Sequence, residues 1–524
     1  MSSTASQGSR TKHTTRPFSK YSFLARKSFR EAGFLRRIYS LLFILWFLAA
    51  AGCGAPFEAG LPGAQAPATG VVQSGLPTSE ISNLTPSPKI SPEPSPASAQ
   101  SITISPAPLN DKSPTLQADS PISIEALTPA SLPTTRPTTS PAHLRIFEKL
   151  WRIVNEHYLY PGFNGLDWEA IHQSYRLRIG YGLTDEAFYQ AMKEMIFSLG
   201  DEHSIFLSPD DVQAEEAEFY GERDYVGIGV LTSLVPERDR IVILLVYPDS
   251  PAERAGLAPH DSILSVDGQP IVGPTGFRQD LLRGPDGSSL KLRVQTPGRE
   301  PRTVGLVRSE IQSSVPVPYF TILTPQSKHV GYILLTTFTD NKIDDQVKAA
   351  LRSMTYEGSL DGLILDNRYN IGGADNIARS VLTYFTSGKL GTFVNRQGEE
   401  HSLHILGEDI GGSSSVPLAV LIGPGTVSFG EIFAGVLQDS GRAYLIGEPT
   451  LGNIELLWGY DFEDGSRAWI AQESFRPRFH PDQDWESLGI TPDQFVESEW
   501  DLFTKESDPA LRAALDYFDG LRDD

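Results

Sequence analysis

The 524-residue chain contains a single cysteine, Cys53. An intrachain disulfide is therefore excluded, and so is a zinc site built on cysteine pairs. His401 and His404 form an HxxH pair without a carboxylate at metalloprotease spacing, and read as loop histidines. No metal and no cofactor is expected. Positive charge is also scarce. The net charge is −21, and residues 1–37 carry nine Lys/Arg against Glu31, which leaves −29 on the remainder. So acidic a body lacks the basic surface that displaces counterions from phosphates, so nucleic acid is excluded as a partner. Net charge carries no information about fold. The length exceeds that of one domain.

The basic excess is confined to the start. Arg26, Lys27, Arg30, Arg36 and Arg37 lead into an apolar run from Ile38 to Ala51. About 14 residues is short for a membrane-spanning helix and normal for a secretory signal core. The run ends Leu48-Ala49-Ala50-Ala51-Gly52-Cys53, which resembles the bacterial lipoprotein cleavage box, although Ala50 stands where that box favours Leu. This predicts export and a lipidated Cys53, with an uncleaved signal anchor as the alternative. The protein is expected outside the cytoplasm, held to the membrane at the cell surface or in the periplasm. After this signal (1–53), residues 54–142 are dominated by Pro, Ser, Thr and Ala, a composition that builds no core. Such a tether spans roughly 50 Å as a flexible coil.

The rest of the chain is organised around Pro417 to Asp439. Leu418 to Ile422 is a short apolar run, read as a buried strand. Gly423-Pro424-Gly425-Thr426 then forces a turn, and Phe429, Ile432, Phe433, Val436 and Leu437 recur at helical spacing. Ser428 therefore stands where a strand becomes a helix N-terminus. Unpaired N–H groups and the positive end of the helix dipole surround it. A nucleophile suits that place, because the same N–H groups stabilise the oxyanion its attack creates. A plain helix cap is the other reading.

Residues 143–200 show helical periodicity in two segments. After the second comes Gly200-Asp201-Glu202-His203-Ser204. Short β-rich runs and turns alternate over 221–310, and SPAERAGL and DSILSVDGQPI within them resemble a PDZ domain. Gly227, Ile228, Gly229 and Val230 match the loop whose N–H groups hold a peptide's terminal carboxylate, beside a sheet edge that accepts an added strand. Peptide capture is the favoured reading; a packing or regulatory module is the alternative. From Val330 strand and helix signals alternate, as in an α/β core: strands at Val330–Thr336 and Gly362–Asp366, helices at 344–354 and 375–385. Gly372-Gly373 lies between strand and helix, where backbone amides approach a ligand closely.

Taken in order, the helical segment, PDZ domain, GYILLTTF, LILDNRYNIGG, GTVSFGEIFAGVLQD, LIGEPTLG and LGITPD resemble the carboxyl-terminal processing (tail-specific) serine proteases. The resemblance implies an α/β protease core of the ClpP/crotonase-like kind at 311–524. A β-rich PDZ domain at 221–310 is inserted before it, and an N-terminal helical domain occupies 143–220. It also implies Ser428 as nucleophile, with oxyanion N–H groups from Gly372 or Gly373 and from Phe429. Bacterial members deprotonate the serine with a lysine 25 residues on, and that position is Asn453 here. An amide has no basic lone pair, so the lysine mechanism is unavailable. The tricorn branch of the superfamily uses a histidine ahead of the PDZ domain and a glutamate near the C-terminal GxxPD. His203 and Glu486 match those positions, although Glu202 replaces that branch's serine. A Ser428–His203–Glu486 set has His203 as base and Glu486 as its orienter, with activity rising through pH 6–7. Glu455 is a further candidate orienter. His203 also matches a DxHS-like stretch that lysine-type members carry without using it, which leaves a structural role open. The predicted activity is extracytoplasmic serine endopeptidase, taking polypeptides captured by the PDZ domain through an acyl-enzyme. The rival, motivated by Asn453, is an inactive peptide-binding lipoprotein with a protease-like fold.

Overall fold

The computed structural model describes residues 140–521, apart from 202, 221–224, 274–275 and 312–313. The signal segment with Cys53, and the tether up to residue 139, lie outside the described residues. Among those described, no helix is long and apolar enough to cross a membrane.

The central layer is a six-stranded sheet in the order Tyr319–Leu323, His329–Leu334, Gly362–Asp366, Leu418–Ile422, Tyr444–Gly447, Gln494–Phe495. All pairings are parallel except that of the first strand. Strands buried on both faces read as unbroken apolar runs, and Leu418–Ile422 is buried at every position. Side chains alternate between faces. Leu418, Val420 and Ile422 join the helices Ile343–Met354, Asp375–Leu382 and Phe429–Asp439 in one core, whereas Ala419 and Leu421 face the helix Pro509–Gly520. Neighbouring parallel strands Gly362–Asp366 and Leu418–Ile422 thus end side by side, and the loops leaving their carboxyl ends meet there.

A second, antiparallel sheet is built on the long strand Arg467–Pro477, which pairs with Ile205–Leu207, Gly388–Asn395 and Leu456–Asp461. Four helices precede or flank it: Pro141–His157, Trp168–Gly180, Asp185–Phe197 and Pro209–Phe219. The first begins two residues before the sequence suggested, because Ser140 caps it and Pro141 occupies its first turn. These helices do not close a core of their own. Their apolar stripes share one with Leu457, Ala468, Trp469 and Ile470 of the sheet.

The PDZ region forms a sheet in the order Arg302–Val307, Ser289–Gln295, Ser262–Val266, Arg240–Val246, Val230–Val235. It is fastened to the core by Arg238, which donates to Asp501 at 2.6 and 2.7 Å and to Glu499 at 2.7 Å. His260 stacks on Trp500 with ring centroids 4.3 Å apart.

Arg368, buried beneath the loop after Gly362–Asp366, donates to Asp366 at 2.9 and 2.5 Å and to Asp508 at 3.1 and 2.7 Å. Asp508→Asn keeps a cap for the last helix and leaves Asp366 to neutralise the guanidinium. The expected loss is that of a charged hydrogen bond, about 1.5–3 kcal/mol by chemical denaturation.

Candidate active site

The turn at Ser428 is shaped by its neighbours. Thr426 donates its hydroxyl to the Asn367 carbonyl at 2.8 Å, and the Val427 N–H donates to the Asn370 carbonyl at 2.9 Å. These bonds tie the serine turn to the glycine loop of the adjacent strand. Ser428 itself has φ 58° and ψ −128°, a region that residues with a Cβ rarely enter. Its side chain makes no cap hydrogen bond, and its Oγ, fully buried, has no hydrogen-bond partner. The Ser428 N–H instead donates to the Glu431 carboxylate at 3.2 Å.

Gly372, at φ 79°, lies flush against the serine: a Cβ there would stand 2.7 Å from the Ser428 Cβ. Its N–H is taken by Asn370 Oδ1 at 2.9 Å. The Gly373 N–H donates to no described residue, and the Phe429 N–H, first in its helix, has no intrahelical acceptor. Of the two glycines proposed for an oxyanion site, Gly373 is thus the one with a donor to offer.

His203 lies on the segment between the helix Asp185–Phe197 and the strand Ile205–Leu207. Asp201 shapes that segment by accepting from the His203 and Ser204 N–H groups at 3.0 and 2.9 Å, and the Ser204 hydroxyl anchors it to Ala471 of the long strand. The buried imidazole Nε2 stands 3.2 Å from Glu486 Oε1 and 3.2 Å from Glu455 Oε2. The second oxygen of each carboxylate is fixed separately. The Tyr160 hydroxyl donates to Glu455 Oε1, and the Ile454 N–H donates to Glu486 Oε2 at 2.7 Å.

The structure therefore unites His203 with Glu486, 283 positions apart in sequence, and adds Glu455 to them. It makes no hydrogen bond between His203 and Ser428. The two halves are linked by the strap Gly452-Asn453-Ile454. At one end the Gly452 N–H donates to Glu431 Oε1 at 2.8 Å, and at the other Ile454 holds Glu486. Asn453 is buried between them. Glu431, which touches the serine and the strap together, was not singled out from sequence. Its signal was available, since an acid three residues after a helix-capping serine reaches back to that serine's N–H. Tyr160 and Asp201 carried no such signal.

Electrostatics differ from those of a simple triad. Burial works against the His203 imidazolium, but Glu455, then Glu486 and Asp201, outweigh it and push the pKa up to about 10. Burial pushes Glu455 up to about 8. Burial also raises Glu431 to about 8, against the opposing hydrogen bonds from Thr450, Gly452 and Ser428. Among the described residues, His203, Glu455 and Glu486 form a group able to present three ligand atoms to one metal ion, all within 4.8 Å of one another. The PDZ residues Ile228 and Gly229 form the turn between the strands Tyr225–Gly227 and Val230–Val235, and accept from Ala252 at 2.8 Å and Tyr247 at 3.0 Å.

The profile of peptidase family S41 matches residues 329–496, a PDZ domain profile matches 242–296, and a tricorn protease C1 domain profile matches 142–197. A carboxyl-terminal-processing protease of Synechocystis sp. is 34% identical over 383 residues, covering 71% of this chain and 85% of the relative. Its counterpart in Picosynechococcus sp. is 32% identical over 373 residues, covering 70% and 87%. A solved photosystem II D1 C-terminal processing protease superposes with a TM-score of 0.50 at 26% identity, over 72% of this chain and 96% of that one. The fold and these relatives define a hydrolase, a serine-type peptidase acting on polypeptides. The chain belongs to the carboxyl-terminal processing proteases of peptidase family S41, with a PDZ domain and an α/β protease core.

These pKa values fix the direction of a stability trend. Glu431 and Glu455 keep protons in the folded state to about 8, against an unfolded value near 4.5, and His203 keeps its own to about 10 against 6.5. The folded chain thus binds more protons than the unfolded chain between about pH 5 and 10, so stability falls as pH rises through that window. Denaturation midpoints are expected to decline from pH 5.5 to 9, and Glu431→Gln should make the decline shallower.

Proposed function

We propose that the chain is an exported serine endopeptidase, tethered through its N-terminal segment, in which Ser428 is the nucleophile, His203 the base and Glu486 the group that orients it. The observation that carries the proposal is the pairing of His203 with Glu486 at 3.2 Å, joined by one strap to the strained turn of Ser428. Asn453 supplies no base where related enzymes place lysine, whereas an imidazole transfers protons in both directions. The match of residues 142–197 to the tricorn C1 profile agrees with a histidine drawn from the segment ahead of the PDZ domain.

In the reaction, Ser428 Oγ attacks the scissile carbonyl carbon as His203 takes the hydroxyl proton. The carbonyl oxygen becomes an oxyanion that accepts from the N–H groups of Gly373 and Phe429. Collapse breaks the C–N bond, and His203 returns the proton to the leaving amine. A water that His203 deprotonates then releases the acyl group from Ser428. The buried Oγ and the ion-paired imidazole require the turn and the His203 cluster to approach when substrate binds. Substrate is delivered by the PDZ domain, whose Gly227-Ile228-Gly229-Val230 loop holds the terminal carboxylate. Close backbone approach at Gly229, where a Cβ would lie 2.2 Å from the Ser250 Cβ, packs that loop against the start of the helix Pro251–Arg254. The Val230–Val235 strand, last in its sheet, offers the edge for an added strand.

Because carboxylates hold the His203 imidazolium to about 10, proteolysis should rise toward alkaline pH rather than level off above 7. Cleavage of an unfolded protein, followed from pH 6 to 10, should vanish in Ser428→Ala and His203→Ala. Glu455→Gln should move the rise to lower pH. Loss in Ser428→Ala alone would require another base. Absence of turnover at every pH, with peptide binding retained, would support the inactive binding protein that Asn453 suggests.

The tether has its own test. A radioactive fatty acid fed to producing cells should label the wild type and not Cys53→Ser, and an unlabelled wild type would reject the lipid anchor.

A further inference from the structure

In the cluster around His203 two carboxyl groups, Glu455 and Glu486, share one imidazole. Two carboxylates converge on one ring nitrogen, and a single N–H cannot serve both well. Glu455 shows the consequence. It is 2% exposed, its Oε2 points at His203 Nε2 from 3.2 Å, and that oxygen has no hydrogen-bond partner. A buried carboxyl oxygen without a hydrogen bond is costly, and the imidazole that faces it serves Glu486 as well.

The geometry supplies what a cation needs. Nε2 lies 3.2 Å from each of the two carboxylate oxygens. Ligands at zinc's usual bond lengths of about 2.0–2.2 Å stand about 3.3 Å apart in a tetrahedron, so the two separations suit one ion. The outer contacts point the same way. Tyr160 fixes the far oxygen of Glu455 and the Ile454 N–H fixes that of Glu486, while the near oxygens, Glu455 Oε2 and Glu486 Oε1, both face His203 Nε2. Metal-ligating carboxylates are commonly held in this manner.

We propose that His203, Glu455 and Glu486 form a binding site for a divalent transition-metal ion of the zinc type. One Zn2+ replaces the Nε2 proton, which leaves to solvent, and its charge balances the two carboxylates around a neutral imidazole. A fourth position remains for water. Cysteine and histidine spacing concealed the site, because its ligands come from three separate segments of the chain. The site itself rests on this geometry alone. A consequence rests on the proposed function as well: an imidazole bound to zinc cannot accept the Ser428 proton, so zinc holds the peptidase inactive.

The test is calorimetric titration of the full chain, stripped with a chelator, with ZnCl2. Absorption after Co2+ substitution reports the coordination. One tight equivalent is expected for the wild type and for Ser428→Ala. That equivalent should be lost in Glu455→Gln, a near-isosteric change, and weakened about 10-fold in Tyr160→Phe, which removes an outer contact. No tight equivalent in the wild type, or undiminished affinity in Glu455→Gln, would overturn the site. Zinc should also slow proteolysis by the wild type and a chelator should restore it. Tight binding without inhibition would overturn the regulatory consequence, and the calorimetry decides the site even where the chain shows no proteolysis.

Discussion

A serine held at φ 58° between a buried strand and a helix costs backbone strain on the order of 1–3 kcal/mol, and much of the surrounding structure keeps it in place. Thr426 and Val427 bind the turn to the loop of the neighbouring strand. Gly372 leaves the space that Ser428 Cβ fills, and Glu431 holds the Ser428 N–H from the first turn of the helix. The parallel pairing of Leu418–Ile422 with Gly362–Asp366 makes this possible, because it brings two loop exits to the same edge of the sheet. Arg368, clamped by Asp366 and Asp508, then ties the glycine loop to the C-terminal helix.

Asn453 brings no charge into the site, and the carboxyl groups around it set the electrostatics. Glu431, Glu455 and Glu486 remain close to the strap, with no lysine ammonium at position 453 between them. Burial, with some repulsion, raises Glu431 and Glu455, and Glu455, Glu486 and Asp201 sustain the His203 imidazolium far above its ordinary range. A histidine in such a place is well oriented but reluctant to give up its proton. Carboxylates that fix the ring of an imidazole also hold its proton, so a fixed orientation is gained at the expense of basicity.

The helical segment and the PDZ domain are joined to the core in different ways. The helices share an apolar core with the long strand Arg467–Pro477, so His203 sits on an element fixed by continuous packing. The PDZ domain adds Val235, Val242 and Leu244 to the core beneath the central sheet, and polar contacts from Arg238 and His260 to residues 499–501. Trp500 also lies against Arg368 and donates its backbone N–H to the Tyr369 hydroxyl at 3.3 Å, so the PDZ attachment reaches the base of the glycine loop.

Local patterns in the chain were enough to locate three of the six strands of the central sheet, the helix after Ser428 and the glycine loop, but not the strands Tyr319–Leu323, Tyr444–Gly447 and Gln494–Phe495. Apolar period, turn residues and helix caps act over a few residues and are written where they act. The PDZ segment and the departure at Asn453 were legible through resemblance to known families. Ser428 was visible as a residue at a strand-to-helix turn, but whether its hydroxyl capped the helix depended on atoms from elsewhere. The convergence of His203, Glu455 and Glu486 was decided only by tertiary structure, as was the contact of Glu431 with Gly452. The first brings together three segments up to 283 positions apart, and its charges interact over a few ångströms that no sequence spacing records. Sequence determined the elements and the candidate groups; packing of two sheets and a strap decided which of those groups share one electrostatic environment.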